Sequence, residues 1–121
     1  PTFSWYFAGK VFKWIKRSGG LDHFEALNKK KAEKLYDFID SSDFYVNNLQ
    51  KSQRSLMNVT FNLKNDDLNS SFLDESKANS LLNLKGHALV GGMRASIYNA
   101  MPEEGVTQLI QFMSEFESKY G

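Results

Sequence analysis

Between residues 57 and 63 the chain alternates without a break. Met57, Val59, Phe61 and Leu63 fall on one side, and Asn58, Thr60 and Asn62 on the other. A period of two sends successive side chains to opposite faces, so this stretch reads as a half-buried strand. Around it the period is helical. Residues 2–18 place Phe3, Phe7, Val11, Trp14 and Ile15 along one stripe, with Thr2 or Ser4 available as a cap and Gly19-Gly20 as a stop. Trp5, Tyr6 and Phe12 lie off that stripe, so the first helix is apolar around most of its circumference. Such a helix is either swallowed by one core or faces a surface outside the segment. Residues 21–41 repeat the helical period through Phe24, Leu27, Lys31, Leu35 and Phe38, with Ile39 beside them and Asp22 in the first turn. On this helix Lys29, Lys30, Lys31 and Lys34 read as a solvated face, and Glu25 with Lys29 as an i, i+4 pair.

Residues 43–46 are a candidate short strand and 47–54 a polar loop. A third helix is expected near 66–78, capped from the Lys64–Asp67 stretch and closed by Asn79 in the left-handed region. Leu81 to Lys85 and Gly91 to Asn99 read as two further strands; the second points Met93, Ala95 and Ile97 to one face and Arg94, Ser96 and Tyr98 to the other. Pro102, at a first helical position, and Glu103-Glu104 open a last helix with Val106, Leu109, Ile110, Met113, Phe116 and Tyr120 on its buried stripe. The expected order is α-α-β-β-α-β-β-α. That is an α+β domain, a small and mostly antiparallel sheet packed on helices, with residues 1–121 as one unit.

Composition agrees with a globular chain: 121 residues, 41% hydrophobic and 24% charged. The net charge of +1 does not suggest a nucleic-acid partner. The excess of lysine and arginine before residue 36 is read as a wet helix face. With no cysteine there is no disulfide framework and no thiolate metal site, in keeping with a reducing compartment. No apolar run approaches a membrane span, and the N-terminus does not read as a secretory signal. The chain opens Pro1-Thr2-Phe3 without an initiator Met, as a piece cut from a longer chain would.

Candidate chemistry concentrates between Lys85 and Pro102, KGHALVGGMRASIYNAMP. There is no acid–histidine spacing for a metal, no GxSxG elbow and no GxxxxGK[ST] loop. His23, in the first turn of its helix, reads as a surface imidazole. Arg94 sits mid-strand, where a guanidinium needs an anion because leaving it buried and unpaired is costly. Its planar fork suits a carboxylate. That carboxylate is either a neighbour such as Glu103 or Glu104, or an incoming ligand. His87 is either an exposed loop imidazole or a donor to an anionic group.

Leu84-Lys85-Gly86-His87, then Val90-Gly91-Gly92-Met93-Arg94-Ala95-Ser96-Ile97-Tyr98-Asn99-Ala100-Met101-Pro102, resembles the C-terminal signature of the phosphoserine aminotransferase family. The likeness runs on through Pro1-Thr2-Phe3, Gly19-Gly20, Ser42-Asp43-Phe44-Tyr45, Arg54-Ser55, Met57-Asn58-Val59 and Phe112-Met113 with Glu115-Phe116-Glu117. The resemblance implies the C-terminal small domain of the aspartate aminotransferase-like fold, fold type I. It implies a class V enzyme that depends on pyridoxal 5'-phosphate. Such an enzyme moves an amino group between glutamate and 3-phosphohydroxypyruvate, giving phosphoserine and 2-oxoglutarate, in serine and bacterial pyridoxine biosynthesis. It further implies small-molecule substrates and a cytoplasmic homodimer, with no nucleic acid or membrane partner. The cofactor's lysine anchor and ring partners would lie outside this segment, so no catalytic or cofactor-binding residue is expected within it, and the segment alone would be inactive. By position, Arg94 matches the arginine that grips the substrate α-carboxylate, and His87 the histidine at the phosphate or distal carboxylate. The family usually has arginine directly after that histidine; here the residue is Ala88. Loss of a cation weakens a dianion most, which leaves open a related class V transaminase with another acceptor. A stand-alone anion-binding or interaction module is the alternative outside enzymes. On the enzyme reading, residues 1–18 dock on the absent large domain or on the partner subunit.

Overall fold

The computed structural model describes all of residues 1–121. Four helices, α1 (Thr2–Arg17), α2 (Gly20–Ser41), α3 (Asn69–Ala78) and α4 (Glu103–Tyr120), accompany three strands, β1 (Tyr45–Val46), β2 (Asn58–Leu63) and β3 (Met93–Ser96). The sheet is antiparallel in the order β1-β2-β3. Its register pairs Val59 with Ala95 and Thr60 with Arg94. The alternation in β2 therefore has its expected consequence. Val59, Phe61 and Leu63 face a buried core with Met93 and Ala95, while the polar partners look outward. Helices α2, α3 and α4 all contribute to that one core, so they cover one face of the sheet and leave the other uncovered by helix.

The core is centred on aromatic rings. Phe72 of α3 is fully buried, with ring centroids 5.1 Å from Phe112, 5.1 Å from Phe116 and 5.9 Å from Phe61. Tilted and edge-on rings at this spacing add to the burial of their area. Tyr45 joins the cluster, and its hydroxyl donates to the Met113 carbonyl at 2.8 Å. Burial raises its pKa, so the phenol stays protonated and serves as a donor. On α4, Phe112 is buried, whereas Tyr120 is partly exposed and its hydroxyl reaches Glu75.

Several expectations are corrected. The strand expected at 81–85 reduces to a single bridge, Lys85 with Met93. Ser80 and Asn83 both take a φ of +63°, which breaks the extended run. The strand expected over 91–99 shortens to Met93–Ser96, because Gly91 and Gly92 precede it at positive φ and a turn follows. Asn79 ends α3 outside the left-handed region, and Ser80 takes that conformation instead. Asn65 caps a short 3-10 turn, Asp66–Leu68, its side chain accepting from the Asp67 amide, and α3 follows from Leu68 without a side-chain cap of its own. Neither Thr2 nor Ser4 caps α1; Pro1 stands there without a side-chain bond. Pro102 is the N-cap of α4, one position earlier than expected. No residue of α1 is buried, so the core does not take up its rings: Phe3, Trp5, Tyr6 and Phe12 are all more than 60% exposed. No helix is long and apolar enough to cross a membrane.

The largest correction is Lys31. It does not belong to the solvated face, since its exposure is 0%. Its ammonium donates to the carbonyls of Ile97, Tyr98 and Met101 at 3.2, 2.8 and 2.9 Å. One turn earlier, Asn28 donates to Asn99 Oδ1 at 2.7 Å. Together they bind the turn after β3 to α2. Burial lowers the pKa of Lys31, and the three carbonyl oxygens offset the cost of the charge. Lys31→Met is expected to lower stability by about 3 kcal/mol, because it removes the donor shared by the buried Ile97 carbonyl and the partly buried Tyr98 and Met101 carbonyls. Urea unfolding followed by circular dichroism measures this; a loss below about 1 kcal/mol would show that the turn stands without the ammonium.

Candidate functional site

The outer face of the sheet bears a hollow of about 440 Å³. Its floor is the polar side of the two paired strands, with Thr60 and Asn62 from β2 and Arg94 from β3. One wall is the Asn47–Leu49 loop after β1; the other is Gly86, His87, Val90 and Gly91. Arg94 and His87, the two candidates that stand out in the sequence, both line this hollow. Asn47, Asn48, Thr60 and Asn62 do not stand out there, although they line it too. The strand alternation that puts Thr60 and Asn62 outward is the available signal for those two. Nothing local marks Asn47 and Asn48.

Arg94 is held from below by the sheet. Its backbone N–H donates to the Leu84 carbonyl at 2.7 Å, on the edge opposite β2. No carboxylate comes within ion-pair range of its guanidinium, and its Nε is buried with no partner. Glu103, one of the two acids weighed as a partner, is engaged elsewhere, with Lys30 at 2.8 Å and Lys34 at 3.5 Å. Those lysines hold the Glu103 carboxyl below its ordinary range, the hydrogen bond from Lys30 being the largest cause. A half-buried guanidinium with an unused donor and no acid beside it is a strong anion-binding element.

His87 is exposed at the rim. Its Nδ1 accepts from the Leu89 backbone N–H at 3.2 Å. That bond leaves the proton of the neutral ring on Nε2, so the imidazole presents a donor outward. The loop is shaped by backbone bonds from Val90 and Gly91 to the His87 carbonyl, at 3.0 and 2.8 Å. Ala88, the position after the histidine, is exposed. Apart from Arg94, no charged side chain lines the hollow.

The glycines here are required by space as well as by φ. A Cβ on Gly86 would fall 2.1 Å from the Gly91 carbonyl oxygen. On Gly92, at φ +64°, it would fall 2.0 Å from Asn62 Oδ1 and 2.9 Å from the Phe61 carbonyl oxygen. Gly91, at φ +76°, meets nothing within 4 Å. The tight loop thus brings the rim within reach of the floor.

Comparison with known proteins identifies the family. Residues 1–109 match the family described as aminotransferase class-V. The chain belongs to the class V aminotransferase family. It is 57% identical over all 121 residues to the phosphoserine aminotransferase of Buchnera aphidicola subsp. Acyrthosiphon pisum, covering 34% of that protein. Against the phosphoserine aminotransferase of Hahella chejuensis it is 57% identical over 119 residues, 98% of this chain and 33% of the other. Among solved structures, phosphoserine aminotransferase from Bacillus circulans subsp. alkalophilus superposes with a TM-score of 0.95 at 43% identity, over 100% of this chain and 34% of that one. The enzyme from Trichomonas vaginalis, described as bound to PLP, gives 0.88 at 46% identity over 94% and 33%. The chain spans about a third of the length of the relatives it matches, and its fold is that of a region of those aminotransferases.

Gly92→Ala is expected to cost at least about 2 kcal/mol, through a strained φ and a clash with Asn62. Gly91→Ala meets only the strain, about 1 kcal/mol. Chemical denaturation of the two variants side by side measures the gap; equal losses would mean that the loop yields at position 92.

Proposed function

We propose that this chain is the C-terminal small-domain portion of a longer phosphoserine aminotransferase, and that its hollow binds the organic acids the enzyme interconverts. The observation that carries this reading is Arg94: a guanidinium with no internal acid, facing a hollow shared with His87. It stands in a chain 57% identical along its whole length to proteins of that name. In the proposed reaction an amino group passes between L-glutamate and 3-phosphohydroxypyruvate, giving O-phospho-L-serine and 2-oxoglutarate. Arg94 takes the α-carboxylate in a two-pronged grip. His87 donates from Nε2 to the phosphate or the distal carboxylate, whichever acid is bound. These groups orient the acid and neutralise its charge, which is a positioning role.

Pyridoxal 5'-phosphate would supply the electron sink for such a transfer. The residues present do not fit its attachment. No lysine lines the hollow, and the one buried lysine, Lys31, has its ammonium committed to three carbonyls. The cofactor's anchor is proposed to lie in the remainder of the longer protein. The same remainder, in its own chain or in the partner subunit of a cytoplasmic homodimer, is proposed to cover the exposed rings of α1. Mixed with pyridoxal 5'-phosphate, the isolated 121 residues are expected to leave the absorption spectrum of the free cofactor unchanged and to show no transamination.

In the full-length enzyme, Arg94→Ala is expected to raise KM for both amino donor and keto acid by about a hundredfold, as loss of a charge-assisted bidentate contact implies. Steady-state kinetics with glutamate and 3-phosphohydroxypyruvate decide the matter: unchanged KM for both would defeat the assignment. A second reading, a related class V transaminase with a different acceptor, draws on the exposed Ala88 and on Arg94 as the hollow's one permanent cation. Poor turnover of 3-phosphohydroxypyruvate beside good turnover of an unphosphorylated keto acid would favour it.

A further inference from the structure

The Asn47–Leu49 wall of the hollow has little packing of its own. Asn48 and Leu49 are exposed, and the segment from 47 to 57 contains no strand and one short turn of 3-10 helix, Lys51–Gln53. Two side chains hold it. Asn47 donates to the Thr60 carbonyl at 2.6 Å and accepts from the Leu49 N–H at 2.8 Å, which fixes the near end. The far end is held by Arg54, from behind the wall. Its Nη1 and Nη2 each donate to one oxygen of Asp40 on α2, both at 2.8 Å. Its guanidinium lies over the Tyr36 ring at 4.8 Å, and its Nε points to the Leu49 carbonyl at 3.4 Å. Tyr36 in turn donates to the Ser55 carbonyl at 2.9 Å, and the Ser55 hydroxyl accepts from the Met57 and Asn58 amides at the start of β2.

The Arg54 side chain is only 10% exposed although it lies in a surface loop. Asp40 has its carboxyl held below the ordinary range, chiefly by the hydrogen bonds from Arg54, with Lys51 at 3.7 Å adding to the effect. All the parts of this guanidinium are thus in use: the fork on α2, the face on a ring and the remaining donor on the loop. A lysine could supply the charge but neither the fork nor the stacked plane.

We propose that Arg54 is a positioning residue for the hollow, tying Leu49 to helix α2 and so setting the wall against which the bound acid rests. The inference rests on the reading that the hollow takes an organic acid, and it adds a specificity element that touches no substrate. A wall fixed at its near end by Asn47 and at its far end by Arg54 moves at the far end when Arg54 is removed, and the bound acid loses its orientation before the chemistry itself is altered.

The test uses the full-length enzyme with Arg54→Lys and Asp40→Asn, beside Lys51→Ala and Arg94→Ala. Both clamp variants are expected to raise KM for both acids about tenfold, with kcat within about twofold of the parent. Hydrogen exchange of the 47–50 segment is expected to rise in both, and Lys51→Ala to match the parent. Should Arg54→Lys fail to fold, Asp40→Asn keeps the guanidinium on Tyr36 and carries the test alone. KM unchanged in the clamp variants while Arg94→Ala raises it would overturn the clamp and leave the binding reading standing. A fall in kcat at constant KM would overturn the clamp equally, as would a rise in KM without faster exchange at 47–50. If Arg94→Ala leaves KM unchanged, the binding reading fails and this inference falls with it.

Discussion

The ammonium of Lys31 lies out of solvent, with no carboxylate beside it, and binds three carbonyls from the turn that follows β3. Without it the carbonyls of that turn would lose this donor, and the passage from β3 into α4 would lose its most buried attachment to α2. Asn28, one helical turn away, repeats the arrangement with Asn99. Because β3 is short and bears Arg94, its position depends on what grips its two ends. Upstream the grip is the left-handed glycine pair and the Leu84 carbonyl; downstream it is α2. The polar interior of this small domain therefore organises the strand that carries its most consequential side chain.

The two faces of the sheet divide the work. The inner face, with Val59, Phe61, Met93 and Ala95, joins an aromatic core whose hub is Phe72. The outer face carries no helix, and its polar residues form the floor of the hollow. An arginine on that face can remain without an internal partner because solvent or a ligand reaches the hollow, while the sheet beneath keeps its backbone rigid. The helix with the most aromatic residues, α1, contributes nothing buried and packs chiefly against α2. On the proposed function, helix and hollow are both surfaces left for something outside these 121 residues. That accords with relatives about three times as long.

Position 88 bears an exposed alanine, which adds no charge to the rim. A hollow with one permanent cation and one imidazole donor suits a carboxylate strongly and a phosphate less so. The neutral side chains near Arg94, namely Asn47, Asn48, Thr60 and Asn62, can donate hydrogen bonds but cannot neutralise charge.

Much of this was legible in the chain. The period of two in β2, the helical stripes of α2 and α4 and the paired glycines at 19–20 and 91–92 are local signals. They agreed with the structure because local geometry alone decides which face a side chain takes. The prominence of Arg94 and His87 was also legible, from residue type and from the signature around them. Tertiary structure alone decided the rest. Lys31 stood among lysines that reach water, and only the approach of residues 97–101, more than sixty positions away, gave its charge acceptors to bury against. The run at 81–85 had the composition of a strand, yet Asn83 turns out of the extended region there and leaves a single bridge to β3. Asn47 and Asn48 lay in an unremarkable polar loop until Arg54 drew that loop toward α2 and against the sheet. Pattern along a chain reports what each residue does with its near neighbours; which distant backbone groups need a partner is set only when the chain has closed on itself.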